Sequence, residues 1–300
     1  MLKIAWHPVY KHPLPEGHRF PMIKYELLPQ QLLHEGCCTE ANFFTAEPAA
    51  DEDILRVHTA EYYNDLQNLS LNARASRKTG FPLSAELVER EITIAGGTIK
   101  GCEYALEYGI AMNIAGGTHH AYSDHGEAFC LLNDQAIAAA YLLHHKKANR
   151  ILIIDLDVHQ GNGTAEIFTD EPDVFTFSMH GKNNYPFKKE QSDLDIELSD
   201  NTGDEEYLKI LQSILPGLLE TIEPDFIFYL CGVDVIASDK LGKLGLSIDG
   251  CRQRDAYVLE TCRDYGIPVQ CSMGGGYSPD IKVIIEAHSN TFRLAQSLYF

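Results

Sequence analysis

The chain has 300 residues, with 43 Asp and Glu against 24 Lys and Arg and a net charge of −19, a balance that argues against a nucleic-acid binder that tracks phosphates through clustered cations. An apolar fraction of 45% and a charged fraction of 22% belong to a globular protein, and no apolar run reaches the roughly 18 residues of a membrane span. The N-terminus "MLKIAWHPVY" lacks a basic start, apolar stretch and small-residue cleavage site, so the expected location is the cytoplasm. Eight cysteines without a CxxC pair are expected to be mostly reduced and buried.

No repeat, low-complexity tract or long linker divides the chain, and residues 1–300 are expected to form one domain. Loop-like stretches fall near 7–21, 37–50, 70–83, 180–203 and 237–248. The first long helical segment covers 84–108: Ser84 is its N-cap, Glu86 lies in the first turn, Gly109 stops it, and Gly96 and Gly97 are expected to loosen its middle. Strands follow at "IAMNIAGG", "ILIIDLD", "VFTFSMH", "FIFYLCG" and "PVQCSMGGG", separated by helical patterns near 133–147, 161–169, 204–222 and 249–265. This alternation predicts an α/β fold, an open and mainly parallel sheet with helices on both faces.

A parallel sheet places its ligand chemistry at the carboxyl ends of its strands. Four of the predicted strands run into polar or glycine-rich clusters, "AGGTHH", "DLDVHQGNG", "CGVDV" and "GGGY", so four exits are expected on one rim. In "ILIIDLDVHQGNG", Asp155, Asp157 and His159 occupy every second position and share one side of the chain if it stays extended. Asp234, leaving another strand, completes a three-ligand set with an open fourth position, the arrangement of a catalytic Zn²⁺, with Fe²⁺ or Mn²⁺ also compatible. Taken alone, DxDxH is equally explained by acidic residues capping a helix. His119 and His120 stand side by side after two glycines and suit a general base with an electrostatic partner, and Tyr277 in "GGGYSPD" suits a donor to a developing oxyanion. Taken alone, Tyr277 is better read as a rim tyrosine covering the sheet edge.

Together "GGTHHA", "FCLLND", "DLDVHQGNGT", "SMHG", "GVDVIASDKLGKLGLS" and "MGGGY" resemble the histone deacetylase superfamily, most of all its class IV branch and related bacterial proteins, over nearly the whole chain from "GHRFPM" to Tyr277. Arginase-type enzymes are similar in fold, but the aspartates of a second metal are missing. The resemblance implies a metal at the bottom of a narrow tunnel and removal of acetyl or longer acyl groups from lysine side chains by metal-activated water. It assigns Asp157, His159 and Asp234 to the metal, His119 and His120 to the catalytic pair, and Tyr277 to polarising the carbonyl. Asp155 would orient His119 and, with Ser178, hold a structural K⁺ or Na⁺. Phe129, Leu241, Gly275 and Gly276 would line the tunnel, and Arg19 would face the inner cavity that receives the acid product. Asn162 stands where class I members carry a second aspartate, so His120 would lack a charged partner and stay neutral, as a general base requires.

Two other readings remain at this stage. An acylpolyamine or other small acylated amine could replace the acyl-lysine protein or peptide as substrate, or the chain could bind acyl-lysine without turning it over. Loss of a metal ligand or of Tyr277 would have favoured the binding module, and neither is lost.

Overall fold

The structure is a computed structural model describing residues 1–300. Eight strands, β1 (Lys3–Trp6), β2 (Phe43–Thr45), β3 (Ile110–Asn113), β4 (Ile151–Asp155), β5 (Val174–Gly181), β6 (Leu194–Leu198), β7 (Phe226–Leu230) and β8 (Val269–Ser272), form one sheet in the order β2-β1-β3-β8-β7-β4-β5-β6. Every neighbouring pair is parallel. Ten helices accompany them: α1 (Lys24–His34), α2 (Asp51–Ile54), α3 (Ala60–Gln67), α4 (Ala73–Thr79), α5 (Ala85–Tyr108), α6 (Asp134–His144), α7 (Asn162–Ile167), α8 (Asp204–Ile222), α9 (Ile248–Asp264) and α10 (Ile281–Tyr299).

Along β4, Leu152 and Ile154 enter one apolar cluster with residues of α8, α9 and α10, whereas Ile151 and Ile153 enter a second with residues of α5 and α6. The two faces of the sheet are thus both covered, which is why the central strands are buried at every position rather than at alternate ones. The central strands β3, β8, β7 and β4 lie side by side, so the four polar exits do reach one rim.

The five predicted strands correspond to β3, β4, β5, β7 and β8. The sheet also gains β1, β2 and β6, the last two from stretches read as loops, and α4 lies in the 70–83 stretch read the same way. β2 has only three residues, β6 is a partly exposed edge strand, and α4, "ARASRKT", has no apolar stripe to betray a helix. All eight cysteines are free thiols, seven of them buried.

α5 departs from expectation in an informative way. Ser84 caps it, accepting from the Leu87 N–H at 3.2 Å, and Gly109 ends it at φ 87°, as the sequence predicts. Its middle is not loosened at Gly96 and Gly97, because the helix is continuous there and the missing side chains make room for neighbours. A Cβ on Gly96 would collide with the Glu47 carbonyl oxygen, and the Ala49 N–H donates to Ile92 O of the same helix at 3.0 Å.

Gly96→Ala is therefore expected to destabilise by about 1 to 3 kcal/mol, read as a lower urea midpoint with an unchanged slope. Gly217→Ala in α8, where a Cβ meets nothing within 4 Å, is the control. It should be neutral or stabilising, because alanine is the better helix former.

Candidate metal centre and catalytic pocket

β4 ends at Asp155, and the chain beyond it bends instead of staying extended. The Asp157 N–H donates to Asp155 Oδ1 at 3.1 Å, and the His159 N–H donates to Asp157 Oδ1 at 3.0 Å. Two successive aspartate turns, not the two-residue repeat of a strand, bring these side chains together. Asp157 and His159 then meet Asp234 from the exit of β7, with one ligand atom from each within 4.8 Å of the others.

His159 Nδ1 lies 3.0 Å from Asp157 Oδ1 and 3.2 Å from Asp234 Oδ2. The backbone occupies the other carboxylate oxygens: Gly275 N–H donates to Asp157 Oδ2 at 2.8 Å and Val158 N–H to Asp234 Oδ1 at 3.0 Å. Asp234 Oδ2 is buried and receives no well-formed hydrogen bond, despite its closeness to the imidazole. A buried carboxylate oxygen left without a donor, beside a second carboxylate and an imidazole nitrogen, fits a divalent cation. Gly275 is required here, since any Cβ would collide with Asp234 Oδ2.

The electrostatics agree. Burial works against a charged His159, but the two carboxylates outweigh it and raise the imidazole to about 10. Burial, then repulsion from Asp157, raises Asp234 to about 7. The space between the three side chains therefore favours positive charge, a proton or a metal.

His119 and His120 sit above this cluster with ring centroids 4.1 Å apart, and their environments differ. His119 Nδ1 is 2.6 Å from Asp155 Oδ2. Burial opposes its charge, yet Asp155 raises it overall. His120 Nδ1 is 2.6 Å from Asn162 Oδ1. An amide oxygen only accepts, so Nδ1 carries the hydrogen and Nε2 keeps its lone pair. Burial, then the neighbouring imidazoles, pushes His120 well below its ordinary value. The pair is thus one imidazole inclined to hold a proton and one that stays neutral with its Nε2 lone pair free. Asp134 steadies both from below, accepting from the Thr118 N–H at 3.0 Å and the Thr118 hydroxyl at 2.8 Å.

Tyr277 stands across the cleft, its ring centroid 6.4 Å from that of His159. Its backbone N–H donates to Asp239 Oδ2 at 2.6 Å, and the other oxygen of Asp239 accepts from Leu241 and Gly242 at 2.8 and 2.9 Å. One aspartate therefore couples the Tyr277 loop to the Leu241 loop. Burial, then Asp234 and Asp157, raises the phenol well above its ordinary value, so it remains a donor.

Phe129 and Gly275 line the inner cleft, and Leu241 lines the outer one. Two expectations are corrected. Gly276 is buried against Val233 and His288 and is not on the wall. Arg19 is exposed at the outer mouth, its guanidinium 4.9 Å from the Phe129 ring centroid, and not at the inner cavity. The inner wall carries Arg90 instead, buried beside Glu91 and donating to Tyr10 O at 2.8 Å. Fully buried Lys24 donates to Gly274 O at 3.1 Å, and burial, opposed by Asp234 and Asp157, lowers it to about 8. Asp155 and Ser178 are aligned across β4 and β5, both buried, with Ser178 Oγ 2.9 Å from His180 Nδ1.

Arg254 of α9 was also missed. Fully buried and paired with Asp255 at 2.8 Å, it donates from Nη1 to Leu156 O at 3.0 Å and Gly232 O at 2.7 Å. Those carbonyls immediately precede Asp157 and lie two residues before Asp234, so one guanidinium joins the two exits that carry the carboxylate ligands. Only its "RD" pair inside an otherwise amphipathic helix hints at this in the sequence.

Arg254→Lys keeps the charge but not the forked reach, and is expected to weaken metal affinity roughly 10- to 100-fold with the far-ultraviolet circular dichroism unchanged. Metal uptake should also release protons, because His159 must be neutral to ligate. Calorimetry in buffers of differing ionisation enthalpy should show about one proton released at pH 8, and more at pH 6 where Asp234 also binds protons. Affinity should accordingly fall as pH falls.

Known proteins share this fold and much of this sequence. Residues 18–292 match the histone deacetylase domain. The chain is 44% identical over 296 residues to an uncharacterized protein of Picosynechococcus sp., covering 99% of each. It is 30% identical over 286 residues to histone deacetylase 2 of Arabidopsis thaliana, covering 92% of this chain and 74% of that one. The crystal structure of a histone deacetylase homologue from Aquifex aeolicus superimposes with a TM-score of 0.84 at 26% identity, covering 97% of this chain and 82% of that one. A homologue complexed with SAHA gives 0.84 at 27% identity, covering 99% and 83%. With the family's domain spanning nearly its whole length, the chain belongs to the histone deacetylase family.

Proposed function

We propose that the protein is a zinc-dependent amidohydrolase that removes acyl groups, acetyl or longer, from lysine side chains of peptides or proteins. The observation that carries this reading is the meeting of the Asp157, His159 and Asp234 cluster, one buried carboxylate oxygen of which is left bare, with two oppositely tuned imidazoles and a phenol at one cleft. The donor set accepts Fe²⁺ as well as Zn²⁺. When bound, the metal supplies a Lewis acid for the acyl oxygen and for the attacking water.

The remaining chemistry belongs to the side chains. Phe129 and Leu241 give the aliphatic part of a lysine apolar walls, so the amide is delivered to the floor with little water around it. Tyr277 donates its hydroxyl hydrogen to the acyl oxygen, a bond that strengthens as that oxygen gains charge. His120, neutral and with Nε2 free, takes a proton from the water as it attacks. His119, whose charged form Asp155 favours, stabilises the negative charge that develops, and the pair returns a proton to the departing amine. Arg90 faces the inner space where the carboxylate product forms. A K⁺ or Na⁺ at Asp155 and Ser178 belongs to the same reading, holding in place the aspartate that orients His119.

The direct test is an assay of acetyl-, butyryl- and myristoyl-lysine peptides with the zinc-loaded chain, following the freed amine by mass spectrometry. Tyr277→Phe, which removes only the hydroxyl, is expected to lower kcat roughly 10²- to 10³-fold, about 3 to 4 kcal/mol, with KM and metal content little changed. Near-normal turnover in a metal-replete Tyr277→Phe protein would remove the phenol from the mechanism and return it to the role of a rim residue.

A further inference from the structure

The outer cleft above Tyr277 has a charge opposite to that of the molecule. In a chain with net charge −19, its wall carries Arg19, Lys78 and Lys243 and not one carboxylate. The short stretches that supply these residues are basic, "HRF" at 18–20, "RK" at 77–78, "KNNYPFKK" at 182–189 and "KLGK" at 240–243, the last two flanked by Glu190 and Asp239.

The three cations are not equivalent. Lys78 is neutralised by Glu127, which also accepts from the Tyr185 hydroxyl, and so serves the wall. Lys243 donates only to the carbonyl of Asn183, at 2.9 Å, and Arg19 lies against the face of Phe129, a tunnel residue. Both are exposed and form no ion pair, and each lies beside a residue that a bound lysine side chain would pass. Beside them Phe187 is 89% exposed, a large ring with nothing over it.

We propose that this rim selects acyl-lysine in an acidic setting, a peptide or protein segment with Asp or Glu flanking the modified lysine, and selects against polycationic substrates such as acylpolyamines or lysine-rich tails. The inference rests on the acyl-lysine hydrolase reading and names its substrate class. Arg19 and Lys243 meet the flanking carboxylates, and Phe187 lies against the aliphatic parts of the residues between them. A carboxylate in front of an unpaired cation gains attraction where an ammonium meets repulsion, so the two effects add in the ratio of acidic to basic substrate.

The experiment compares acetyl-lysine peptides of one length with flanks of Asp and Glu, of Ser and Gly, or of Lys and Arg, together with N-acetylputrescine and N-acetylspermidine, on the zinc-loaded full chain. Both kcat/KM and the anisotropy of fluorescein-labelled peptides are read at 20 mM and 500 mM salt. The acidic peptide is expected to exceed the basic one roughly tenfold at low salt in both readouts. The preference should shrink at high salt and reverse in the Arg19→Glu, Lys243→Glu double variant. Equal treatment of the three flanks, better use of the acetylated polyamines, or a preference that survives the double variant would overturn the proposal while leaving the hydrolase reading in place. Tighter binding of the acidic peptide with no cleavage of any would do the reverse, supporting the rim and refuting the hydrolase.

Discussion

Three aspartates, Asp155, Asp157 and Asp234, are buried within a few residues' reach at the carboxyl edge of a sheet covered on both faces, and the rest of the structure is organised around that negative charge. Buried carboxylates persist only when hydrogen-bonded or paired with positive charge. Asp155 has His119, and Asp157 has the backbone of His159 and Gly275. Asp234 has one donor and one bare oxygen, and it is this shortfall that makes the site a place for a cation. Arg254 and Lys24 stand close behind, each holding backbone carbonyls of the exits that bear Asp157 and Asp234 or of the glycine turn opposite. Neither fills the gap itself.

From that arrangement the catalytic asymmetry follows. His119 and His120 are neighbours in sequence and in space, and their difference comes from the residues they face: a carboxylate in one case and an amide in the other. Asp155 favours the charged form of one imidazole, while burial and the neighbouring imidazoles, with only the neutral Asn162 as partner, keep the other neutral. Asp239 performs a third kind of task, joining Tyr277 to the Leu241 loop so that phenol and tunnel wall are placed together.

The centre of the fold was legible because buried parallel strands are apolar without interruption and stop at abrupt polar exits, as "ILIID" and "FIFYL" do. Edge elements escaped for the converse reason: β2 is too short, β6 is half solvated, and α4 owes its helix to the Asn72 cap and not to an apolar face. Within the site, Asp157, His159, Asp234, the histidine pair and Tyr277 meet as the motifs imply, although aspartate turns assemble the first two where an extended strand was expected. Residues acting at long range in sequence were out of reach. Arg19 lies in a recognisable motif yet points to the mouth, while Lys24, Arg90 and Arg254 look like ordinary helical cations until packing shows them buried.

The same packing leaves the outside of the site with a sign unlike the surface as a whole, so the molecule concentrates positive charge where a substrate would enter and negative charge where a metal would sit. The account stands or falls on that inner position. Anomalous diffraction at the zinc edge, from crystals of the chain reconstituted with zinc, should show one strong peak touching Asp157, His159 Nδ1 and Asp234 Oδ2. Two peaks about 3.5 to 4 Å apart, or none at these three side chains, would contradict it.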